Sequence, residues 1–161
     1  MSSPGHLNSF SYVGLHRYSL TFCTHQRRDL FTKEDVVSLV LSQILRAADE
    51  HGFLILAYCF MPDHLHLLIE GTTESSDCLR FIARAKQYAG FYYAKAFTGR
   101  LWQRYGFEHV LRDDEITQVA ARYILENPMR AGLVQSVQEY PYVGSKVYPL
   151  ADLIEGVSRS G

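Results

Sequence analysis

Two short stretches on either side of a proline turn constrain this chain most. Phe53 to Phe60 is almost wholly apolar, Met61-Pro62-Asp63 interrupts it, and His64-Leu65-His66-Leu67-Leu68-Ile69 follows. Proline cannot donate into a β-ladder and Asp favours turns, so the segment reads as an antiparallel hairpin whose second strand runs from His64 to about Glu70. Side chains alternate along a strand, which puts both imidazoles on one side and Leu65, Leu67 and Ile69 on the other. A core-facing apolar row is thereby backed by two adjacent nitrogen ligands. Histidines at i and i+2 make half of a divalent-metal site, with room for a third protein ligand and a substrate oxygen. The same doublet also fits a polar strand face that carries two histidines and nothing more.

With 161 residues the chain fits one domain over 1–161, large enough to bury a core. Cys23, Cys59 and Cys78 are odd in number and far apart, without a Cys-x-x-Cys pair. That speaks against a disulfide framework or a zinc ribbon and for a reducing cytosol, with the thiols as small apolar core groups. No apolar run reaches membrane-spanning length, and the start Met1-Ser2-Ser3-Pro4-Gly5 lacks the pattern of a secretory signal. The expectation is a cytoplasmic protein with no membrane partner.

The formal net charge is only −1, yet its distribution is uneven. From Cys78 to Phe107 there is no Asp or Glu, while Arg80, Arg84, Lys86, Lys95, Arg100 and Arg104 lie there with Tyr88, Phe91, Tyr92, Tyr93, Phe97, Trp102 and Tyr105 between them. His16 to Lys33 is basic too, through Arg17, Arg27 and Arg28. Basic residues interleaved with aromatics suit a single-stranded nucleic acid, whose phosphates need cations and whose bases stack. A solvated helix face with aromatic core behind it accounts for part of the same pattern.

The periodicities predict strands over Arg17 to Thr24, Phe53 to Phe60, His64 to Glu70 and Tyr105 to Leu111. A helix is expected from an N-cap at Thr32 through Asp49, stopped by Gly52. A second is expected from about Ser76 to Ala96, with Leu79, Ile82, Ala83, Ala89 and Tyr93 on its apolar stripe. A third should start at Asp113, where Asp114 and Glu115 favour a helix N-terminus, and end at Asn127 before Pro128. The order predicts an α+β, ferredoxin-like sandwich: a four- to five-stranded antiparallel sheet, helices packed on one face, and a C-terminal helix. Residues 1–14 read as a loose arm and 135–161 as a tail with flexible ends.

Along the last helix Tyr123 and Asn127 stand four residues apart and should share a side. Taken alone, such a Tyr is a core residue with a satisfied hydroxyl and such an Asn a helix stop. Together with Met61-Pro62-Asp63-His64-Leu65-His66, Trp102-Gln103-Arg104, Glu108-His109-Val110, Arg112-Asp113 and the run from Tyr123 to Val134, they resemble the single-tyrosine HUH transposases. The closer similarity is to the REP-associated tyrosine transposases (RAYTs), relatives of the insertion-sequence 200/605 transposases, and it covers roughly Arg17 to Tyr142. The resemblance implies that His64 and His66 hold Mg²⁺ or Mn²⁺, that Tyr123 is the nucleophile, and that Asn127 completes the metal site, with Glu126 as a lower-ranked third ligand. It implies a monomer acting through its own Tyr123, with a helix-exchanged homodimer as the alternative.

The expected activity is that of a single-stranded DNA endonuclease and strand transferase, working on hairpin or palindromic repeats through a 5′-phosphotyrosine. The candidate DNA contacts are Arg17, Arg27, Arg28, Arg80, Arg84, Lys86, Lys95, Arg100, Trp102 and Arg104. Two rivals remain open at this stage. One is a domesticated, non-cleaving DNA- or RNA-binding module of the same fold. The other is a hydrolytic zinc enzyme built on His64, His66 and Glu70 or Asp63, which leaves Tyr123 and Asn127 unexplained.

Overall fold

A computed structural model describes residues 12–104, 108–111, 113 and 116–154. The predicted alternation produces the sheet. Strand β1 (Arg17–Cys23) points Tyr18, Leu20 and Phe22 to one side, and β3 (His64–Gly71) points Leu65, Leu67 and Ile69 to the same side. Between them β2 (Phe53–Met61) closes the hairpin with β3, and β1 lies along the other edge of β3. With β4 (Glu108–Leu111) and the two-residue β5 (Val143–Gly144), the five strands run β4-β1-β3-β2-β5, every described pair antiparallel. This is the expected ferredoxin-like order with one added edge strand.

Helices α1 (Glu34–His51) and α2 (Cys78–Phe97) cover the apolar face. Gly52 ends α1 in the left-handed region (φ 73°), where a side chain would be strained. The α1 stripe falls at helical spacing, on Val36, Val40, Ile44 and Ala47. The α2 stripe is rotated: Leu79 and Ala83 are exposed, and Phe81, Ile82, Ala85, Ala89 and Tyr93 are buried. Asp77 starts the helix, its carboxylate capping it by accepting from the Arg80 N–H at 3.1 Å.

One irregularity in β2 decides what lies on the other face. Ile55 pairs with Ile69 but Ala57 pairs with Leu68, so Leu56 is an extra residue and the strand bulges there. Beyond it the parity inverts. Ala57, Cys59 and Met61 join Leu68 in a second apolar cluster, while Phe60 turns to the first. Helix α3 (Thr117–Leu125) supplies Ala120, Ala121, Ile124 and Leu125 to that second cluster, on the side of the sheet that carries the histidines.

Several boundaries differ from the sequence reading. Helix α3 begins at Thr117, not at Asp113, because the Asp113 carboxylate is already committed to accepting from the Arg17 N–H (2.8 Å) and pairing with His16 (2.6 Å). It does not end cleanly at Asn127 either: after Glu126 one further turn, α4 (Asn127–Arg130), begins. The described part of the tail, residues 135–154, is packed on the fold. Val137, Val143 and Leu153 are buried in the second cluster, and the Tyr140 hydroxyl donates to the Phe60 carbonyl at 2.6 Å. Tyr12 and Val13, assigned to the arm, are also integrated: Tyr12 is buried and Val13 bridges to Asp77. The remainder of that arm, Tyr105–Phe107, Asp114 and Glu115 lie outside the described residues.

Gly71 closes β3 against this N-terminal segment. Its N–H donates to the His16 carbonyl at 3.0 Å, and a Cβ added there would overlap the backbone carbonyl of Gly14. Backbone cannot swing away as a side-chain tip can, so Gly71→Ala is expected to cost about 2–3 kcal/mol. Thermal melting should show a midpoint lowered by roughly 5–10 °C; an unchanged midpoint would mean that the segment re-seats freely.

Candidate active site

The parity of β3 and β1 builds the site. His64 and His66 project to the side opposite Leu65 and Leu67, and β1 presents Ser19, Thr21 and Cys23 there, with Thr21 opposite His66 and Cys23 opposite His64. The two Nε2 atoms meet at 3.0 Å, with the rings at 89° to one another. Each remaining ring nitrogen has its own partner. Asp63 Oδ1 lies 2.6 Å from His64 Nδ1, and Thr21 Oγ1 lies 3.1 Å from His66 Nδ1. Asp63 is itself held by the Arg27 guanidinium at 3.0 Å. The hydrogen bonds from His64 and Arg27 hold its carboxyl below the usual range, against the effect of its partial burial.

Two imidazoles with Nδ1 tied down have the outer hydrogen bonds that metal-ligating histidines usually have, and here their Nε2 atoms hydrogen-bond to each other. Ligands at right angles on an ion with bonds of about 2.1 Å stand about 3.0 Å apart, and that is the spacing found. The pair therefore fits a divalent cation as two adjacent corners of its coordination shell. Among the described residues no third His, Cys, Asp or Glu joins them. Asp63 faces Nδ1 of His64 and not Nε2. Glu70 lies two alternations beyond His66, roughly 13 Å along the strand, where it pairs with Arg17 at 3.6 Å. The zinc site built on Glu70 or Asp63 finds no support in this placement.

His66 is mostly buried, and burial, aided by the charges of His64 and Arg130, pushes its imidazole down to about 4. It is neutral at pH 7, the state a metal ligand needs. The unfolded chain protonates near the ordinary value of about 6.5, so the unfolded state binds more protons between there and pH 4. This part of the stability is complete above pH 6.5 and is lost as pH falls towards 4, on the order of 3 kcal/mol in all. Urea midpoints of the metal-free protein should fall over that window, and less steeply in His66→Gln. Parallel slopes would refute the assignment.

Tyr123 stands on α3 with its side chain about half exposed. Its neighbour one turn on depends on Pro128, which has no N–H to give to the Ile124 carbonyl. The Asn127 side-chain nitrogen takes that place, donating to Ile124 O at 3.2 Å. The amide oxygen of Asn127 is thus left as its acceptor end. Among the described residues neither Tyr123 nor Asn127 hydrogen-bonds to an imidazole; they are brought to the histidine side of the sheet, not into contact with the pair. Glu126 is drawn to Arg130 instead, at 3.9 Å.

The sequence reading missed Arg130 altogether. Its guanidinium lies 3.9 Å above the Tyr123 ring, donates to the Tyr123 carbonyl, adds to the lowering of His66, and works against the burial that pushes the Cys59 thiol up. It missed the orienting role of Thr21 as well, although the alternation of β1 already placed Thr21 on the polar face.

The candidate DNA contacts separate into groups. Arg27 and Arg28 sit on a turn over His25–Arg27 that is stitched to Leu101 and Gln103 by His25 N–H to Leu101 O (2.8 Å) and Gln103 N–H to Cys23 O (2.9 Å). That brings Arg100 and Arg104 to the His64 end of the sheet, beside a groove of about 490 Å³ lined by Lys86, Gly90 and Trp102. Arg80, Arg84 and Lys95 instead line the outer face of α2, on the other side of the sheet. Arg17 is committed to Glu70, to the Asp113 carbonyl and to Thr117 Oγ1, staples that fix the start of α3. Trp102 is a correction: it is buried edge-on against Phe22 (5.7 Å) and offers no open face for a base to stack on.

A family model described as Transposase IS200 like matches residues 12–127. The chain belongs to that transposase family. A Haemophilus influenzae protein carrying the name REP-associated tyrosine transposase is 25% identical over 166 residues, covering 87% of this chain and 88% of that protein. The fold agrees with a solved REP-associated tyrosine transposase bound to a REP hairpin (TM-score 0.69, 19% identity, 89% of this chain and 82% of that one). A Deinococcus radiodurans transposase structure aligns less closely (TM-score 0.53, 18% identity, 86% and 96% covered). As in the sequence reading, no helix among the described residues of this transposase-family chain is long and apolar enough to cross a membrane.

Proposed function

We propose that this chain is a metal-dependent endonuclease and strand transferase for single-stranded DNA, acting on hairpin or palindromic repeats, with Tyr123 as nucleophile and His64, His66 and Asn127 as metal ligands. The observation that carries the reading is the convergence of the two Nε2 atoms at 3.0 Å, on the side of the sheet where α3 packs. Mg²⁺ or Mn²⁺ bound there would polarise the scissile phosphodiester and offset the charge that develops on it.

The residues divide the remaining work. Tyr123 Oη attacks phosphorus, its proton passes to solvent or a nearby base, and the bond to the 3′ oxygen breaks. The products are a 5′-phosphotyrosine and a free 3′-hydroxyl. One phosphoester replaces another, so the same hydroxyl, or that of a second strand, can attack the phosphotyrosine and reseal the chain. Asp63 and Thr21 hold the imidazoles in register, and Asn127 offers its amide oxygen. Arg27, Arg28, Arg100 and Arg104 border the His64 end of the sheet, where a phosphate backbone would enter. The packing of α3 on its own sheet through Ala120, Ala121, Ile124 and Leu125 supports a tyrosine that serves the histidines of its own chain, the monomeric reading.

The decisive experiment offers labelled single-stranded oligonucleotides, tiled across the DNA flanking the gene and any palindromes it holds, with Mn²⁺ or with chelator. The expected result is an SDS-stable adduct only with metal, its modified peptide mapping to Tyr123. Binding with no adduct would leave the non-cleaving module; an adduct that survives chelation would remove the metal.

A further inference from the structure

We infer that Arg130 is a positioning residue for Tyr123, holding the phenol ring in one orientation above α4 so that its hydroxyl meets DNA from a fixed direction. The inference rests on the proposed nucleophile and extends it to a residue to which neither the motif nor the site chemistry gave a role.

The need for such a residue is physical. A side chain that is 55% exposed, on a helix with its ring turned to solvent, exchanges rotamers on the nanosecond scale. In-line attack requires the oxygen in one place, and fixing a reactant's geometry in advance is a large part of what a site contributes. Neither hydrophobic cluster of the described residues includes the Tyr123 ring. Arg130 holds it from one side. The backbone stays in the α region through the α3–α4 junction, so residue 130, seven positions on, lies on the same side as residue 123, and the guanidinium carbon sits 3.9 Å from the ring centroid.

The guanidinium is held in turn. One nitrogen donates to the Tyr123 carbonyl, another faces Glu126 Oε1 at 3.9 Å, and the planar fork of Arg lets it make both contacts while stacked. A lysine could keep the charge but not the stack together with both polar contacts. The break itself comes from Pro128, with Asn127 repairing the orphaned carbonyl. The Asn-Pro pair thus passes the helical course on from α3 to α4, and the seven-residue spacing puts the arginine on the side of the tyrosine.

The test compares wild type with Arg130→Met and Arg130→Lys on the same tiled oligonucleotides with Mn²⁺. Single-turnover adduct formation is measured at saturating DNA and affinity by fluorescence anisotropy. Tyr123 ring rotamers are read by NMR in the DNA-free protein. Arg130→Met should slow adduct formation by tenfold or more, change affinity by no more than about threefold, and release the ring to average among rotamers. Arg130→Lys should recover the affinity but only part of the rate. A rate within twofold of wild type in Arg130→Met, or a loss wholly in affinity, overturns the inference. A ring that already averages in the wild type overturns it too, whatever the chemistry. A wild type whose ring is ordered and is released by Arg130→Met, yet which makes no adduct, supports the clamp and overturns the nucleophile.

Discussion

Tyr123→Phe is expected to give no SDS-stable protein–DNA adduct under conditions where the wild type is captured, and no strand rejoining. The substitution removes one oxygen and leaves the ring, so the stack with Arg130 and the packing of α3 should persist; the phenol is half exposed and buries no polar partner. Stability and DNA affinity should therefore stay close to wild type, within about 0.5 kcal/mol. Without the phenol no protein atom at that position can accept the phosphoryl group. The loss should be complete in gel assays of adduct and of 3′-hydroxyl release. A Phe variant that still forms the adduct would move the nucleophile elsewhere on the chain.

The second large effect belongs to the imidazoles. His64→Ala with His66→Ala removes both converging nitrogens and should lower cleavage by a thousandfold or more, equivalent to about 4 kcal/mol of lost transition-state stabilisation. Binding of the same oligonucleotide should drop little, because the cations that border the site are untouched. Isothermal titration with Mn²⁺ supplies a readout independent of turnover: heat of binding in the wild type and none in the double variant. Cleavage that persists would detach the doublet from catalysis and leave it a polar strand face.

Most of the sheet was legible in the sequence because its apolar rows alternate without interruption on β1 and β3. The doublet's side of the sheet followed from Leu65, Leu67 and Ile69 alone. What could not be read is where alternation is broken or where a polar side chain has two options. The bulge at Leu56 sits within a run so uniformly apolar that no parity could be assigned to it. Asp113 has the chemistry of a helix cap, yet it is taken by Arg17 and His16 across the sheet, a long-range contact that no local window contains. Leu79 and Ala83 fit a helical stripe as well as Phe81 and Ala85 do, and burial of the larger Phe81 decided the rotation. Trp102, counted among the cations for its aromatic ring, serves the core with Phe22 and Phe31. The tail is short of periodicity because it follows the surface of the second cluster residue by residue, as Val137, Tyr140, Val143 and Leu153 show.

The extra residue in β2 gives one strand two allegiances. Ahead of it the odd-numbered positions serve the helical layer; behind it they serve the histidine side, which is how Cys59 comes to lie opposite His66 and Met61 opposite His64. Were Leu56 paired with Leu68 in a regular ladder, with no residue left over, Tyr58 and Phe60 would stand opposite His66 and His64 and fill with aromatic bulk the space above them. The space in front of the imidazole pair is thus set by counting along a neighbouring strand.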